Sequence, residues 1–291
     1  MVSPATTVPA FHSVRALSKD FAAEVFAPPF REWPTRSDLL DLLEEHLVLV
    51  FRGQQDMTLE EQVELTKLFG PVGDCWDIHH RHPEDNRVQI ISNANRQGLT
   101  FKSSTLYWHS DQSFCKFPSP VTLLRVVDLP SWGGNTVFAN LRSAFEDLPA
   151  EAKSYYRTLR TIHSFSHLMA PLMDRRQGSG SSAPLRPLYP DVHHPLVVRH
   201  RRTNRESLYL SELCVSAVEG LPSKDGVVLL DHLHRHAVQD KYVYSHAWRL
   251  GDVVAWFNPG LLHRADSIPT TEPRTFFRTN TYTERPLESC C

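Results

Sequence analysis

Apolar positions recur along this chain in short runs. Leu39, Leu40, Leu42 and Leu43 form one stripe at helical period, which predicts a helix over Arg36–His46 that Ser37 can cap. Leu47-Val48-Leu49-Val50-Phe51 is a continuous apolar run too short for a helix and reads as a buried strand, ended by Arg52-Gly53. Thr58-Leu59-Glu60-Glu61 has the form of a capping box. It opens a second helix with Leu59, Val63, Leu65, Leu68 and Phe69 on its buried side, and Gly70-Pro71 stops it. Further strands are predicted at 88–92, 121–127 and 137–138, the last entered through the turn Gly133-Gly134-Asn135-Thr136. Residues 196–199 and 207–210 read as a hairpin turning at Thr203-Asn204-Arg205. Residues 242–249 and 252–257 read as strands joined by Gly251, and residues 143–148, 150–159 and 227–238 as helices. From Arg274 to Tyr282 the chain alternates, with Arg274, Phe276 and Arg278 on one face and Thr275, Phe277 and Thr279 on the other.

Many short strands with few helices predict a mainly β fold with α decoration, a β-sandwich or jelly-roll core. There is no internal repeat. Residues 170–187 carry the run Gly178-Ser179-Gly180-Ser181-Ser182 between prolines. They read as a flexible loop inside a single domain spanning 1–291, with the freedom a lid requires.

Composition narrows the function classes. Of 291 residues, 41% are hydrophobic and 22% charged, as in a globular protein with a sizeable core. A net charge of -2 offers no basic surface for nucleic acid, and no apolar run reaches the length of a membrane span. The first residues lack the basic start and apolar core of a secretory signal. Five scattered cysteines without a C-x-x-C pair fit free thiols in a reducing cytoplasm. The expected partner is a small-molecule substrate, and apolar helix faces leave a homo-oligomer open.

The candidate chemistry sits in Trp108-His109-Ser110-Asp111. A His-x-Asp spacing in extended backbone turns an imidazole and a carboxylate toward one spot, two thirds of the 2-His-1-carboxylate set that holds non-haem Fe(II) with positions left open. His263, just past the strand at 252–257, can complete it. The 154 residues between His109 and His263 (263 − 109) suit two strands meeting across a sheet. Arg274 and Arg278 follow on one strand face, where a pair of guanidinium groups can hold an anionic ligand. The cluster His79-His80-Arg81-His82 reads either as a solvated loop or as a substrate contact, and Trp108 as packing beside the metal.

These segments, in this order, resemble the TauD/TfdA (taurine/2,4-D dioxygenase) family of Fe(II)- and 2-oxoglutarate-dependent oxygenases. The resemblance runs through residues 47–54, Trp-His-Ser-Asp-x-Ser-Phe at 108–114, Gly-Gly-Asn-Thr at 133–136 and His194-Pro195-Leu196-Val197-Val198-Arg199. It continues through Trp248-Arg249-x-Gly251-Asp252-Val253-Val254 and Leu262-His263-Arg264-Ala265 to the two arginines. It implies a double-stranded β-helix, cupin-like core. It implies that His109, Asp111 and His263 bind Fe(II), and that Thr136 and Arg274 hold the distal carboxylate of 2-oxoglutarate. Arg278, Tyr107 and His80 are the substrate-facing candidates. Three coordination positions would remain, two for 2-oxoglutarate and one for O2, and the products would be succinate, CO2 and an oxidised, typically hydroxylated, substrate. That substrate would be a small organic acid, or an amino-acid-like or natural-product compound. The presence of Asp111, which halogenating relatives lack, points to hydroxylation or a related oxidation. Two departures stand out. The family's Trp-Asp-Asn-Arg is here Trp256-Phe257-Asn258-Pro259, which bears on what supports His263. The residues that grip a sulfonate are not evident before His109, which argues against taurine and brings the region nearer the aryloxyalkanoate branch. The alternatives are a catalytically silent carboxylate-binding β-sandwich, expected to have lost part of the set, and a metal hydrolase, with no use for Arg274.

Overall fold

Both faces of the central apolar runs are buried, which explains why they read as continuous rather than alternating. The computed structural model describes residues 13–30, 36–94, 106–168, 189–267 and 272–290. The loop predicted at 170–187 and most of the stretch leading to Trp108 lie outside the described residues. The strands among the described residues are β1 (Ser13–Ala16), β2 (Ala23–Phe26), β3 (Val48–Phe51), β4 (Gln89–Ser92), β5 (Val121–Asp128), β6 (Thr136–Asn140), β7 (Arg160–His163), β8 (Val192–Pro195), β9 (Val197–Arg199), β10 (Glu206–Leu208), β11 (Val215–Val218), β12 (Val243–His246), β13 (Val253–Phe257), β14 (Leu261–Ala265), β15 (Thr275–Asn280) and β16 (Glu288–Ser289). Seven form one sheet in the order β1-β2-β3-β13-β5-β15-β4. Three three-stranded sheets, β12-β6-β14, β11-β7-β8 and β10-β9-β16, complete the β structure.

In the large sheet Val48, Val50, Leu124, Val126, Val254, Trp256 and Phe276 pack against Phe138 and Leu261 of the β12-β6-β14 sheet. That is a sandwich core of the jelly-roll kind. The opposite face, with Leu49, Phe51, Leu123 and Val253, is covered by helix α1 (Arg36–His46) and helix α2 (Leu59–Lys67) through Leu39, Leu43 and Leu65. The Thr58 hydroxyl accepts from Glu61 N while the Glu61 carboxylate accepts from Thr58 N, the predicted capping box. Helices α3 (Leu141–Glu146), α4 (Ala150–Arg157) and α5 (Ser223–Ala237) pack over a third apolar cluster with Leu196, Leu208 and Val218.

The predicted elements recur with shifted ends. Helix α3 starts two residues earlier than expected because Asn140 Oδ1 accepts from Arg142 N and Ser143 N. The hairpin forms in the expected place, Arg199 opposite Glu206 and Val197 opposite Leu208. The strands flanking Gly251 belong to different sheets: β12 pairs with β6, and β13 lies between β3 and β5. Gly251, at a φ of 85°, makes the turn between them. No helix among the described residues is long and apolar enough to cross a membrane.

Candidate active site

His263 lies in the middle of β14, opposite Phe138 of β6. His109 belongs to no strand but forms an isolated antiparallel bridge with His263, their N–H and C=O groups exchanging bonds of 3.0 and 2.9 Å. The extended spacing expected for His109-x-Asp111 therefore holds only for the first half. Asp111 sits in a turn, followed by Gln112 at a φ of 55°, a sparsely populated conformation for a residue with a side chain. The outcome is still convergence. One ligand atom each from His109, Asp111 and His263 lie within 4.8 Å of one another. His109 Nε2 is 3.9 Å from Asp111 Oδ1, and His263 Nε2 is 3.8 Å from Asp111 Oδ2.

The donor set fits a divalent first-row metal. His109 Nδ1 is 2.8 Å from the Tyr107 carbonyl, which can only accept, so the proton sits on Nδ1 and the Nε2 lone pair faces the other ligands. Burial lowers the His263 pKa to about 3, reinforced by His109. Burial also lowers that of His109, against the attraction of Asp111. Both rings are thus neutral at neutral pH, the form that binds metal. For Asp111, burial raises the pKa, but Arg278, the two histidines and the Thr122 hydroxyl outweigh it and hold it at about 2. The anion has direct partners: Arg278 Nη1 donates to Oδ1 at 3.0 Å and Thr122 Oγ1 to Oδ2 at 2.8 Å.

A ring of side chains not singled out from the sequence supports this centre. Thr122, between Val121 and Leu123 in strand β5, also accepts from Asn258 Nδ2 at 2.9 Å and Asn280 Nδ2 at 2.6 Å. Asn258 takes Trp256 Nε1 on its Oδ1, and its carbonyl accepts from Ser110 Oγ, between His109 and Asp111. Buried His194 lies 3.0 Å from the carbonyls of Ser113 and Cys115 and so ties down the turn after Asp111. His263 is supported differently. Its Nδ1 is buried with no hydrogen-bond partner among the described residues, and Trp256 and Phe138 pack on its ring, at 4.8 and 6.2 Å between centroids. At 256–259 the support around His263 thus comes from its aromatic walls and from Asn258.

Arg274 precedes β15 on the face it shares with Phe276. Its Nε and Nη2 donate to the Gly134 carbonyl at 3.1 and 2.9 Å, and its guanidinium lies 4.2 Å from the centre of the Phe276 ring. Among the described residues no carboxylate pairs with it, and burial lowers its pKa to about 10. Gly133 and Gly134, both left-handed (φ 70° and 73°), bring that carbonyl round to it. Thr136 opens β6, opposite Ala265 of β14, with its Oγ1 accepting from Trp248 Nε1 at 3.0 Å and no acceptor for its own hydrogen among the described residues. Arg278, the third residue of the alternating face, reaches Asp111. Tyr107 is exposed, and its carbonyl rather than its ring touches His109. His80 lies on a 3-10 turn with Nδ1 2.8 Å from Asp77.

A family profile described as "Taurine catabolism dioxygenase TauD, TfdA family" matches residues 13–280. The alpha-ketoglutarate-dependent 2,4-dichlorophenoxyacetate dioxygenase of Burkholderia sp. (strain RASC) is 30% identical over 85% of this chain and 86% of its own length. Pentalenolactone F synthase of Streptomyces arenae is 30% identical over 81% and 83%. Among solved structures, AAD-2 in complex with Mn(II) and N-oxalylglycine superposes with a TM-score of 0.77 at 27% identity, covering 94% of this chain and 98% of that one.

Proposed function

Because the chain belongs to the TauD/TfdA family and is a 2-oxoglutarate-dependent dioxygenase that uses Fe(II) and O2, we propose that His109, Asp111 and His263 are its metal ligands. The observation that carries this reading is the convergence of their three ligand atoms within 4.8 Å, with both imidazoles neutral. Bound there with 2-oxoglutarate, iron supplies the oxidising chemistry that couples cosubstrate decarboxylation to substrate oxidation.

The residues of this chain do the holding. Arg274 and Thr136 take the distal carboxylate of 2-oxoglutarate: the carbonyl of Gly134 fixes the guanidinium plane, and its buried charge is matched by no acidic side chain among the described residues. A buried cation of that kind is stabilised by an anionic ligand. Arg278 and Thr122 keep Asp111 ionised and aimed. Phe138 and Trp256 keep water from the His263 ring.

The substrate is a small organic acid, or an amino-acid-like or natural-product compound, and the oxidation is a hydroxylation or a reaction derived from one. Relatives named for 2,4-dichlorophenoxyacetate and (S)-phenoxypropionate support the acid class. With Arg278 engaged by Asp111, Tyr107 and His80 are the remaining predicted candidates for the substrate side. We read the chain as one oxygenase domain, which the large sheet supports by joining β1 to β15. The four described cysteines are free, in keeping with a reducing compartment such as the cytoplasm.

The test is succinate formation from 2-oxoglutarate with Fe(II) and air, over a panel of aryloxyalkanoates, other carboxylates and amino acids. Aryloxyalkanoates or related acids should stimulate it, and His109→Ala and Asp111→Ala should abolish it while the circular dichroism spectrum is kept. Undiminished succinate from either variant would contradict the ligand assignment, and stimulation by none of the carboxylates or amino acids would contradict the substrate class.

A further inference from the structure

On the far side of the Asn258 turn lies a cavity of about 250 Å³ that the reaction does not use. Its apolar wall includes Pro118, Pro120, Phe257, Pro259 and Leu287. Its charged lining is one-sided: Arg142, Arg199, Arg201, Arg205 and Arg285 against the single carboxylate of Glu288. Two of these arginines are paired, Arg201 with Glu288 at 2.9 Å and Arg199 with Glu206 at 3.8 Å. Among the described residues Arg142, Arg205 and Arg285 have no ion-pair partner.

Arg142 is the unusual member. It is only 5% exposed, and its Nη1 donates to the Glu44 backbone carbonyl, leaving the rest of the guanidinium without a protein partner among the described residues. A buried guanidinium with donors to spare, next to other unpaired arginines, favours an anion. The wider cavity of about 730 Å³ that shares Arg142 and Arg205 makes no such demand. It sets Asp20, Glu146, Asp147 and Asp240 against Lys19, Arg142, Arg205 and Lys241, four charges of each sign.

We propose that the smaller cavity is a second binding site for a small amphiphilic carboxylate, an aryl or short alkyl acid. Its carboxylate meets Arg142, Arg205 and Arg285, and its apolar body lies on the proline and Phe257 wall. The volume sits just under the roughly 300–1,000 Å³ of ordinary ligand pockets, which restricts the occupant to a compact molecule. Phe257 and Pro259 flank Asn258, whose carbonyl accepts from Ser110 at 3.0 Å, so the occupant abuts the turn that supports both metal-ligand segments.

The probe is 4-fluorobenzoate, followed by ¹⁹F NMR on the full chain in the presence of excess 2-oxoglutarate, which fills the cosubstrate site. Saturable binding is expected in the wild type and in Arg274→Gln. The double variant Arg205→Glu, Arg285→Glu should weaken it at least tenfold; both side chains are exposed, so the fold should survive, with circular dichroism as the check. Leu287→Asp should weaken it through the apolar wall. The proposal is overturned by no saturable binding, by competition from 2-oxoglutarate with loss in Arg274→Gln, or by undiminished binding in the double variant.

Discussion

Asp111 is held by a guanidinium on one oxygen and a hydroxyl on the other, and the two should fail differently. Arg278→Met leaves a carboxylate only 4% exposed without its countercharge; breaking a buried pair costs about 3–5 kcal/mol. The variant should denature at lower temperature, and its Mn(II) affinity by anaerobic titration should fall roughly 10- to 100-fold, the usual effect of losing a residue that orients a ligand. Thr122→Val keeps the charge pair but leaves Asp111 Oδ2, Asn258 and Asn280 each short of a partner. A loss of about 1–3 kcal/mol in stability is expected, with a smaller loss of metal affinity. Wild-type Mn(II) affinity in Arg278→Met would argue that this arginine faces substrate instead. The proposed ligands were legible: His-x-Asp, a later histidine and two arginines are visible as letters. Thr122, Asn258 and Asn280 were not, because their meaning arises only where β5, the turn after β13, and β15 meet. A threonine second in a strand whose next two residues are leucines was the available signal.

Elements were legible where a local rule dominates and obscure where pairing does. The α1 stripe, the α2 capping box and the β5 run each carry their own signal, and the structure has all three. The sheet β11-β7-β8 was not foreseen. Arg160-Thr161-Ile162-His163 and Val192-His193-His194-Pro195 are four residues each, polar, and extended because they pair with one another. Thr58→Ala should cost about 1 kcal/mol in denaturant unfolding and leave turnover unchanged, since that cap lies at the helical layer. Gly260 is a different case. A Cβ there would sit 2.7 Å from Leu47 Cδ2, and Leu47 is 1% exposed. Gly260→Ala should therefore shift the start of β14, two residues before His263, and lower both the melting temperature and the metal affinity. An unchanged melting temperature would mean that Leu47 yields freely.

The whole molecule carries an acid sensitivity that belongs to its interior. Burial depresses His163 well below its ordinary value and brings His194 and His234 to about 4. Unfolded, these rings titrate near pH 6.5, so between roughly pH 6.5 and 4 the unfolded chain binds protons that the folded chain refuses. Stability is therefore complete above the unfolded value and falls as pH drops through that window, by up to about 1.4 kcal/mol per pH unit for each ring. Urea midpoints at about pH 7.5 and about pH 5 should show the loss, and a flat profile would mean that the buried rings protonate in place.

On the proposed assignment, one buried centre gathers iron and 2-oxoglutarate through His109, Asp111, His263, Thr136 and Arg274. Visible absorbance of the Fe(II)-loaded protein under argon, as 2-oxoglutarate is added, reads that centre. A weak metal-to-ligand charge-transfer band that saturates in the wild type, needs far more 2-oxoglutarate in Arg274→Gln and is absent in Asp111→Ala is the expected result. Iron bound in full with no band at any 2-oxoglutarate concentration would contradict it.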